Sequence, residues 1–482
     1  MQFRTILRIL GVLLSLFSLT MLPPFMVSIF YKDGGGLAFS LSQILILFFG
    51  GSLWFYFRHD KNELRTRDGF LVVVLFWTVL SLSGALPFWL SEKPNISFSD
   101  SVFESFSGLT TTGATILTNI DSLPHAILFY RQQLQWLGGM GIIVLAVAIL
   151  PMLGIGGMQL YRAETPGPVK DSKLTPRIAG TAKALWNIYL GLTVSCALAY
   201  WFAGMSVFDA ICHSFSTVAI GGFSTHDLSI GYFNSPAIEV ICAIFMFIAG
   251  INFSLHFVAF RRMDLKNYFA DPEFKVYTGI LLSISLVTFL ILVVTQVHHP
   301  ADAWHHALFQ AISIGTTTGF TTTEFAEWPS ILPLLLLLSS FIGGCAGSTA
   351  GGIKVIRFLL LFKQGMREIK LLIHPNAVFL IKLGKTALKP RVIQAVWGFF
   401  ATYVLMFFII MLLLVADGMP QVEAFSAVAA CLNNLGPGLG DVAANYSHLT
   451  DHAKWLLSFA MLLGRLEIFT MLVLFTPAFW RR

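Results

Sequence analysis

A short glycine-centred loop occurs four times in this chain, each time between apolar segments. The loops read TTTG, AIGG, TTTG and NNLG, and they end at Gly113, Gly222, Gly319 and Gly436. The residues before each loop suit a short helix that cannot cross a bilayer. A half-crossing of this kind is compatible with a membrane only where it lines a water-filled path. The four copies therefore predict four walls around one ion-conducting pore.

The composition agrees with a membrane location. The chain has 482 residues, of which 56% are hydrophobic and only 12% are charged, whereas soluble domains carry about a quarter charged residues. The formal charge of +6 does not indicate a nucleic-acid partner, because the basic residues cluster at the ends of apolar segments. Five isolated cysteines favour neither a disulfide framework nor a zinc site.

Ten apolar segments are long enough to cross about 30 Å of hydrocarbon. They lie near 5–30, 38–57, 70–90, 127–150, 185–204, 236–259, 276–297, 331–372, 392–416 and 453–476. The glycine loops follow the third, fifth, seventh and ninth segments, at spacings of 109, 97 and 117 residues. We therefore predict an all-α polytopic membrane protein with two leading helices and four tandem helix–pore-helix–filter-loop–helix repeats, arranged with pseudo-fourfold symmetry. The predicted boundaries are 1–66, 67–160, 161–265, 266–380 and 381–482.

The lysine and arginine positions predict which segments of this topology face the cytoplasm. With the N-terminus inside, 26 of the 31 basic residues fall in cytoplasmic segments, as the positive-inside bias requires. Lys32, Lys93, Arg131 and Lys454 then lie outside, and Arg465 lies within the last crossing. Both termini are predicted to be cytoplasmic. The basic stretch 363–391 is suited to contact anionic lipid headgroups.

The loops repeat no carboxylate, histidine or cysteine, so their chemistry lies in the backbone. Glycine among small residues lets carbonyl groups turn inward, and rings of carbonyl oxygens select large monovalent cations. A site for a divalent cation would require carboxylates. A single loop of this kind is equally compatible with a re-entrant packing turn; four aligned copies favour a filter. Thirteen residues before each glycine stand Asp100, Asp209, His306 and Glu423, which we expect at the starts of the half-helices.

Two further features point to a gate. The run GGCAGSTAGG at 343–352 interrupts the eighth crossing and lacks the GK[ST] ending of a phosphate-binding loop. It predicts a flexible intramembrane loop, with a glycine-rich helix-packing seam as the alternative. Arg465 carries a charge at a depth where a charge needs a partner or a cavity. Residues two apart face different sides of a helix, so we do not expect Arg465 to pair with Glu467.

The repeated unit resembles the Trk/Ktr/HKT superfamily of potassium transporters, most closely its bacterial TrkH/TrkG branch. The segments SFSGLTTTGAT, SFSTVAIGGFST, ISIGTTTGFTTTEF and CLNNLGPGLG are similar to that family's four filter segments, and GGCAGSTAGGIK and LLGRLEIFT also match. The resemblance covers essentially the whole chain. It implies K⁺ uptake across a bacterial inner membrane, with no organic cofactor and no enzymatic activity. A glycine in all four filters favours potassium over sodium, since some plant members carry serine in the first.

The same resemblance implies the residues of the filter and the gate. The filter carbonyls would belong to Thr111, Thr112, Gly113, Ile220, Gly221, Gly222, Thr317, Thr318, Gly319, Asn434, Leu435 and Gly436. Because the fourth repeat brings two asparagines and a proline, we expect its wall to deviate from fourfold symmetry. The gate would consist of Arg465 with Gly343, Gly344, Gly347, Gly351 and Gly352. The resemblance also implies a homodimer and a cytosolic nucleotide-binding regulatory subunit of the TrkA type.

Three other functions compete with this interpretation. The alternative nearest to it is a sodium-permeable or sodium-coupled member of the same superfamily. An alternating-access transporter is less compatible, because the repeats run in the same direction and their loops lack side-chain ligands. An intramembrane enzyme would need a paired catalytic set, and the crossings show none.

Overall fold

The chain folds almost entirely into helices in a computed structural model that describes residues 1–60, 62, 64–139, 141, 178–297, 299–329, 331–384 and 386–481. Within these ranges the only strands form a short antiparallel hairpin of β1 (Lys382–Leu383) and β2 (Thr386–Ala387). The predicted all-α class is confirmed. The end of the predicted crossing 127–150 and the following segment up to residue 177, which includes the predicted boundary between 160 and 161, lie outside the described residues.

The leading helices pack against each other through glycine. α1 (Phe3–Ser18) continues through a 3-10 turn into the proline-initiated α2 (Leu22–Tyr31), and α3 (Gly36–Phe57) packs along α1. A methyl group on Gly11 would lie 2.7 Å from the carbonyl oxygen of Gly50, and one on Gly50 would lie 2.9 Å from that of Gly11. Close backbone approach of this kind is a usual basis of helix association in lipid.

Each of the four following parts of the chain contains a long helix, a short helix and a loop. The first consists of α4 (Thr66–Gly84), α5 (Leu86–Leu90), α6 (Phe98–Leu109) and α7 (His125–Gly139). The second consists of α8 (Ile178–Phe202), α9 (Val207–Ala219), α10 (Pro236–Ala249), α11 (Phe253–Arg262) and α12 (Lys266–Ala270). The third consists of α13 (Pro272–Val294), α14 (Pro300–Gly315), α15 (Leu332–Ile342) and α16 (Val355–Ile373). The fourth consists of α17 (Pro390–Ala416), α18 (Gln421–Leu432), α19 (Asp451–Arg465), α20 (Ile468–Leu472) and α21 (Pro477–Trp480).

The long helices bury one face and leave the other apolar side chains exposed. In α17 the buried side chains recur every three or four residues, at Ile393, Val396, Phe399, Tyr403, Phe407, Ile410 and Leu414. Leu405, Phe408 and Leu412 on the other side are 59%, 52% and 65% exposed. Because so much apolar surface along a helix of 27 residues would be unfavourable in water, this face fits hydrocarbon.

The four helices before the glycine loops are too short to cross a bilayer. α6, α9, α14 and α18 contain 12, 13, 16 and 12 residues. At 1.5 Å per residue they are roughly 18–24 Å long, against about 30 Å of hydrocarbon. The short helices that the sequence predicts before the loops are therefore present.

The prediction of which residues begin these half-helices is partly wrong. Ser97 and Ser206 are the N-cap residues, and they accept the N–H groups of Asp100 and Asp209 at 3.1 and 3.0 Å. The two acids follow in the first turn, where the helix dipole favours them. His306 lies well inside α14, not at its start, because Pro300 begins that helix earlier and Asp302 supplies the acid of its first turn.

Six of the described helices are long and apolar enough to cross a membrane, or eight if each bent pair counts as one crossing. The bends were not predicted. The expected straight crossing 236–259 is broken by 96° between α10 and α11, and the expected crossing 453–476 is broken by 112° after Arg465. Glu467, with a left-handed φ of 54°, stands at the second break. The predicted crossing 331–372 is interrupted as expected, between Ile342 and Val355.

A buried ion pair joins the first two glycine loops. Arg131 Nε lies 2.8 Å from Glu104 Oε1, and the two side chains are 1% and 0% exposed. Glu104 also accepts the Thr115 hydroxyl and the Ile116 N–H group, each within 3.1 Å, while Arg131 donates to the Ser224 carbonyl at 3.0 Å. The segments that follow the two loops are thereby fixed to α6 and α7. Arg131, expected in an outer segment, is buried in α7.

Replacing Glu104 with alanine would leave the Arg131 guanidinium buried without its carboxylate. We expect a loss of about 3–5 kcal/mol in the free energy of unfolding, measured as a lower unfolding temperature of the purified protein in detergent. Replacing the exposed Glu92 with alanine is the matched control. Equal unfolding temperatures for the two variants would contradict this account of the pair.

Candidate ion pathway at the four glycine loops

All four half-helices end in the same backbone turn, a Schellman motif. Two residues before each loop glycine the backbone is left-handed, with φ of 56° at Thr111, 55° at Ile220, 67° at Thr317 and 54° at Asn434. The next N–H group donates to a carbonyl five residues earlier, in the pairs Thr112–Ser107 (2.8 Å), Gly221–Ser216 (2.8 Å), Thr318–Ser313 (2.7 Å) and Leu435–Ala430 (2.7 Å). The loop glycine is left-handed again, with φ of 81° at Gly113, 80° at Gly222, 85° at Gly319 and 99° at Gly436.

The residues at the first left-handed position are unusual. Glycine is the common choice there, whereas Thr111, Ile220 and Thr317 are β-branched, and such residues rarely adopt a positive φ. Backbone strain of this kind persists only where surrounding contacts hold it, and it concentrates at functional sites.

The loop glycines bring the four turns into a closed ring. A methyl group on each glycine would overlap the carbonyl oxygen of the residue before the next glycine. The distance from the added carbon to the carbonyl oxygen would be 2.2 Å for Gly113 and Gly221, 2.1 Å for Gly222 and Thr318, 2.1 Å for Gly319 and Leu435, and 2.7 Å for Gly436 and Thr112. The contacts run from the first loop to the second, third and fourth and back to the first. Each of these positions therefore requires glycine for two reasons. Its φ is positive, and the carbonyl group of the next loop comes too close to leave room for a side chain.

The first and third turns are braced by their own threonines. The hydroxyl groups of Thr110 and Thr112 lie 2.8 Å apart, and those of Thr316 and Thr318 also lie 2.8 Å apart. The second turn has neither hydroxyl, because Ala219 and Gly221 stand at the matching positions.

The fourth turn differs in its side chains but keeps the two left-handed residues and the helix-end hydrogen bond of the other turns. Asn433 accepts the Tyr403 hydroxyl at 2.5 Å and donates to the Ser340 hydroxyl at 3.0 Å. Asn434 donates to the Thr112 hydroxyl at 3.0 Å, across to the first turn. The two asparagines thus fasten the fourth turn to its neighbours, and Leu435 keeps the same helix-end hydrogen bond as its counterparts.

The glycine-rich segment 343–352 lies against the ends of three half-helices. The Gly351 N–H group donates to the Thr317 hydroxyl at 2.7 Å, and the Gly352 N–H group donates to the Asn433 carbonyl at 3.0 Å. The Thr349 hydroxyl donates to the Val218 carbonyl at 3.0 Å. The segment therefore lies directly next to the ring.

Several glycines of this segment have conformations or contacts that exclude side chains. Gly343, Gly347 and Gly352 have φ of 68°, 73° and 73°. A methyl group on Gly351 would lie 1.9 Å from the Asn433 carbonyl oxygen, and one on Gly344 would lie 3.0 Å from that of Gly250. All five glycines predicted for the gate thus belong to one folded loop.

Arg465 connects this loop to the first part of the chain. Its guanidinium donates to the carbonyl of Thr349 at 3.2 Å, to that of Gly139 at 3.0 Å and also to that of Gly138. Glu467 is paired with Arg357 instead, at 2.6 Å. The charge of Arg465 therefore lies between the glycine-rich loop and the carboxyl end of α7.

Sequence reasoning missed Glu273, which joins the glycine-rich loop to the first turn of α16. Its Oε1 atom accepts the Ala346 N–H group at 2.8 Å and the Ile356 N–H group at 3.1 Å, and the residue is 7% exposed. In the sequence, an acid after the Asp271–Pro272 pair resembles an ordinary first-turn residue of a helix. Nothing in the local pattern indicates a partner more than 70 positions away.

The loop after the second glycine turn carries a charged cluster. His226 contacts Asp121 and lies 3.4 Å from Asp209. Burial alone would lower the pKa of His226, but hydrogen bonds and charges from the two carboxylates outweigh it, so that the pKa is raised. At the start of α6, Asp100 pairs with Lys454 at 2.6 Å. These pairs fasten the chain segments on the N-terminal side of the half-helices.

Backbone oxygens and hydroxyl groups dominate the ring itself. Over the described part of the chain, no group of three or more His, Cys, Asp or Glu side chains is arranged to hold a metal ion. The twelve predicted filter residues all lie in the four turns. What the arrangement can offer a cation is therefore a set of carbonyl dipoles at the negative ends of four half-helices.

Comparisons with known proteins give matches over nearly the whole chain. Residues 36–482 match the family model TrkH, described as a cation transport protein. The chain is 62% identical to the Trk system potassium uptake protein TrkH of Vibrio parahaemolyticus and 60% identical to the Trk system potassium uptake protein TrkH of Escherichia coli. Both matches cover the full length of this chain and of the relative. It is 44% identical to the Escherichia coli protein TrkG, over 99% of each chain. The crystal structure of the potassium transporter TrkH from Vibrio parahaemolyticus superposes with a TM-score of 0.91 and 59% identity, covering both chains completely.

The loop anchor at Glu273 can be tested through Cys345, which is 1% exposed and lies in the anchored loop. In Glu273→Ala the N–H groups of Ala346 in the loop and of Ile356 in α16 lose their acceptor, and we expect alkylation of Cys345 by a maleimide to become several-fold faster, measured by peptide mass spectrometry. Glu273→Gln keeps an oxygen that can accept both bonds and should protect Cys345. Buried Cys242 serves as the internal control. Unchanged protection in Glu273→Ala would contradict the anchor.

Proposed function

Because the chain belongs to the TrkH family of cation transport proteins, we propose that it takes up potassium through a channel-like pore lined by the four glycine turns. The observation that carries this proposal is the closed ring, in which each glycine abuts the carbonyl of the next loop. The relatives named as potassium uptake proteins support potassium as the transported ion. The ion is cargo and not a resident cofactor.

The ring suits a large monovalent cation. A carbonyl cage replaces the hydration shell of potassium at small cost, whereas smaller cations hold their water more strongly. The ligands in this proposal are the carbonyls at and just before each glycine, from Thr111 to Gly113, Ile220 to Gly222, Thr317 to Gly319 and Asn434 to Gly436. The helix ends add partial negative charge from four directions, and the second left-handed residue of each turn determines where its carbonyl points.

The glycine-rich loop and Arg465 form the gate in this proposal. The loop contacts three of the helix ends that bear the ring, so a shift of the loop changes access to the ring. The Arg465 charge adds an electrostatic barrier to cations while it is held by the Thr349 carbonyl. Only the third and fourth parts of the chain supply gate elements.

The membrane setting of the proposal follows from charge placement and from the family. The chain is a multi-pass membrane protein, which we place in a bacterial inner membrane with both termini in the cytoplasm. A homodimer and a cytosolic nucleotide-binding subunit of the TrkA type belong to the same proposal. The basic stretch 363–391 is proposed to contact anionic lipid.

Rubidium flux into vesicles that contain the purified protein tests the proposed function. We expect rubidium uptake that potassium inhibits strongly and that sodium and lithium inhibit weakly. Empty vesicles and vesicles with heat-unfolded protein are the controls. Equal inhibition by sodium would favour a sodium-permeable pore, and absence of flux with and without the regulatory subunit would refute the proposal.

Arg465→Ala removes the charge from the gate. We expect basal rubidium flux to rise at least about tenfold, the equivalent of about 1.4 kcal/mol, since a positive charge beside a low-dielectric path opposes the passage of a cation. Arg465→Lys retains the charge and should stay near the original flux. Equal basal flux of the alanine variant and the unaltered protein, at matched protein content, would contradict a gating role.

Gly113→Ser tests the ring. A side chain at Gly113 would overlap the Gly221 carbonyl and would force the first two walls apart, so we expect the preference for rubidium over sodium to fall. Gly51 has no neighbouring atom within 4 Å of the added carbon, and Gly51→Ser is the matched control. If Gly113→Ser lowers only protein abundance and leaves the ion preference unchanged, the glycine packs the fold and does not shape a filter.

A further inference from the structure

Gln135 is a wholly buried side chain on α7 that bonds to the second glycine turn. Its Nε2 group donates to the Gly221 carbonyl at 2.6 Å, and its Oε1 atom accepts the Phe223 N–H group at 3.1 Å. The residue is 0% exposed. One side chain thus binds a carbonyl and an N–H group on either side of the loop glycine Gly222.

The two bonds fix the orientation of the amide group. Rotating the amide by half a turn would place its oxygen against the Gly221 carbonyl oxygen and its NH₂ group against the Phe223 N–H group. Both contacts would be repulsive, and both buried backbone groups would lose their partners, which is costly. Gln135 therefore specifies the position of the Gly221 carbonyl as well as that of the chain leaving the turn.

We propose that Gln135 is a positioning residue that determines ion selectivity by setting the second wall of the filter. The proposal rests on the proposed function and deepens it. The first and third walls carry threonine pairs that brace them from within. The second wall has Ala219 and Gly221 at those positions, and the amide of Gln135 supplies the brace from the neighbouring part of the chain.

The identity of Gly221 supports this assignment. Unlike Ile220 and Gly222, Gly221 does not adopt a left-handed conformation, so its backbone conformation does not require a glycine. A methyl group on Gly221 would lie 2.4 Å from both the Cδ and the Oε1 atoms of Gln135. The space that Thr112 and Thr318 fill with their own side chains is filled in the second wall by Gln135.

The brace also acts on the first wall. The Gly221 carbonyl held by Gln135 is the same oxygen that a methyl group on Gly113 would approach to 2.2 Å. A movement of this carbonyl therefore changes the contact between the first and second loops. Because discrimination between potassium and sodium depends on how the carbonyl cage is held, loosening one wall should affect selectivity before it affects folding.

The test compares rubidium-over-sodium preference in vesicles for two variants of Gln135. Gln135→Met keeps the side-chain volume and removes both hydrogen bonds, and Gln135→Ala removes the volume as well. We expect the preference for rubidium over sodium to fall about fivefold or more in each variant, which corresponds to the net free energy of about one hydrogen bond. Gln133→Ala is the matched control: Gln133 is on the same helix, is 6% exposed, and bonds to the Thr20 carbonyl instead. Its preference should equal that of the unaltered protein.

A double-variant cycle tests the steric part of the argument. Gly221→Ala alone should lower the preference because the new methyl group displaces Gln135. In the Gln135→Ala background the space is free, so the same change should cost little more, giving a non-additive cycle. Additive losses would overturn the steric complementarity.

The outcomes separate this inference from the proposed function. If the unaltered protein shows no ion preference, the proposed function fails and the inference fails with it. If the unaltered protein is selective and Gln135→Met is equally selective, the inference alone is overturned. A ratio of two ions measured on one preparation does not depend on protein abundance, so a merely structural role for Gln135 would leave it unchanged.

Discussion

The close contact between each loop glycine and the carbonyl group of the next loop is the constraint on which the rest of the structure depends. It requires four helix ends to meet at one place, and the approach of their negative dipole ends is electrostatically unfavourable without a cation. The four Schellman turns satisfy the N–H groups of these ends internally. The arrangement has a conformational cost, because one residue of each turn that is not glycine is held in a left-handed conformation.

Other interactions hold the ring in place and fix the glycine-rich loop beside it. The buried Glu104–Arg131 pair fixes the segments after the first two turns. Asn434 joins the fourth turn to the first, and Gln135 joins α7 to the second. On the side where the half-helices end, Glu273 and Arg465 hold the glycine-rich loop through its backbone. Any movement of this loop would therefore require buried hydrogen bonds to break.

Much of this arrangement is predictable from the sequence because it depends on local or repeated patterns. Apolar length predicts the crossings, and four aligned glycines predict the loops. The bends after Ala249 and Arg465 were missed because each lies within an apolar run that continues on both sides. Glu273 and Gln135 were missed for another reason: their partners lie 73 and 86 positions away. Only the folded chain brings such residues to the site.

The most direct test of the central claim is to locate the ion. Anomalous scattering from rubidium in crystals of the protein would place the cation relative to the ring. The account predicts a peak surrounded by the carbonyl oxygens of the four turns, among them those of Thr112, Gly221, Thr318 and Leu435. Rubidium peaks at carboxylate side chains with none within the ring, in protein that transports rubidium, would contradict it.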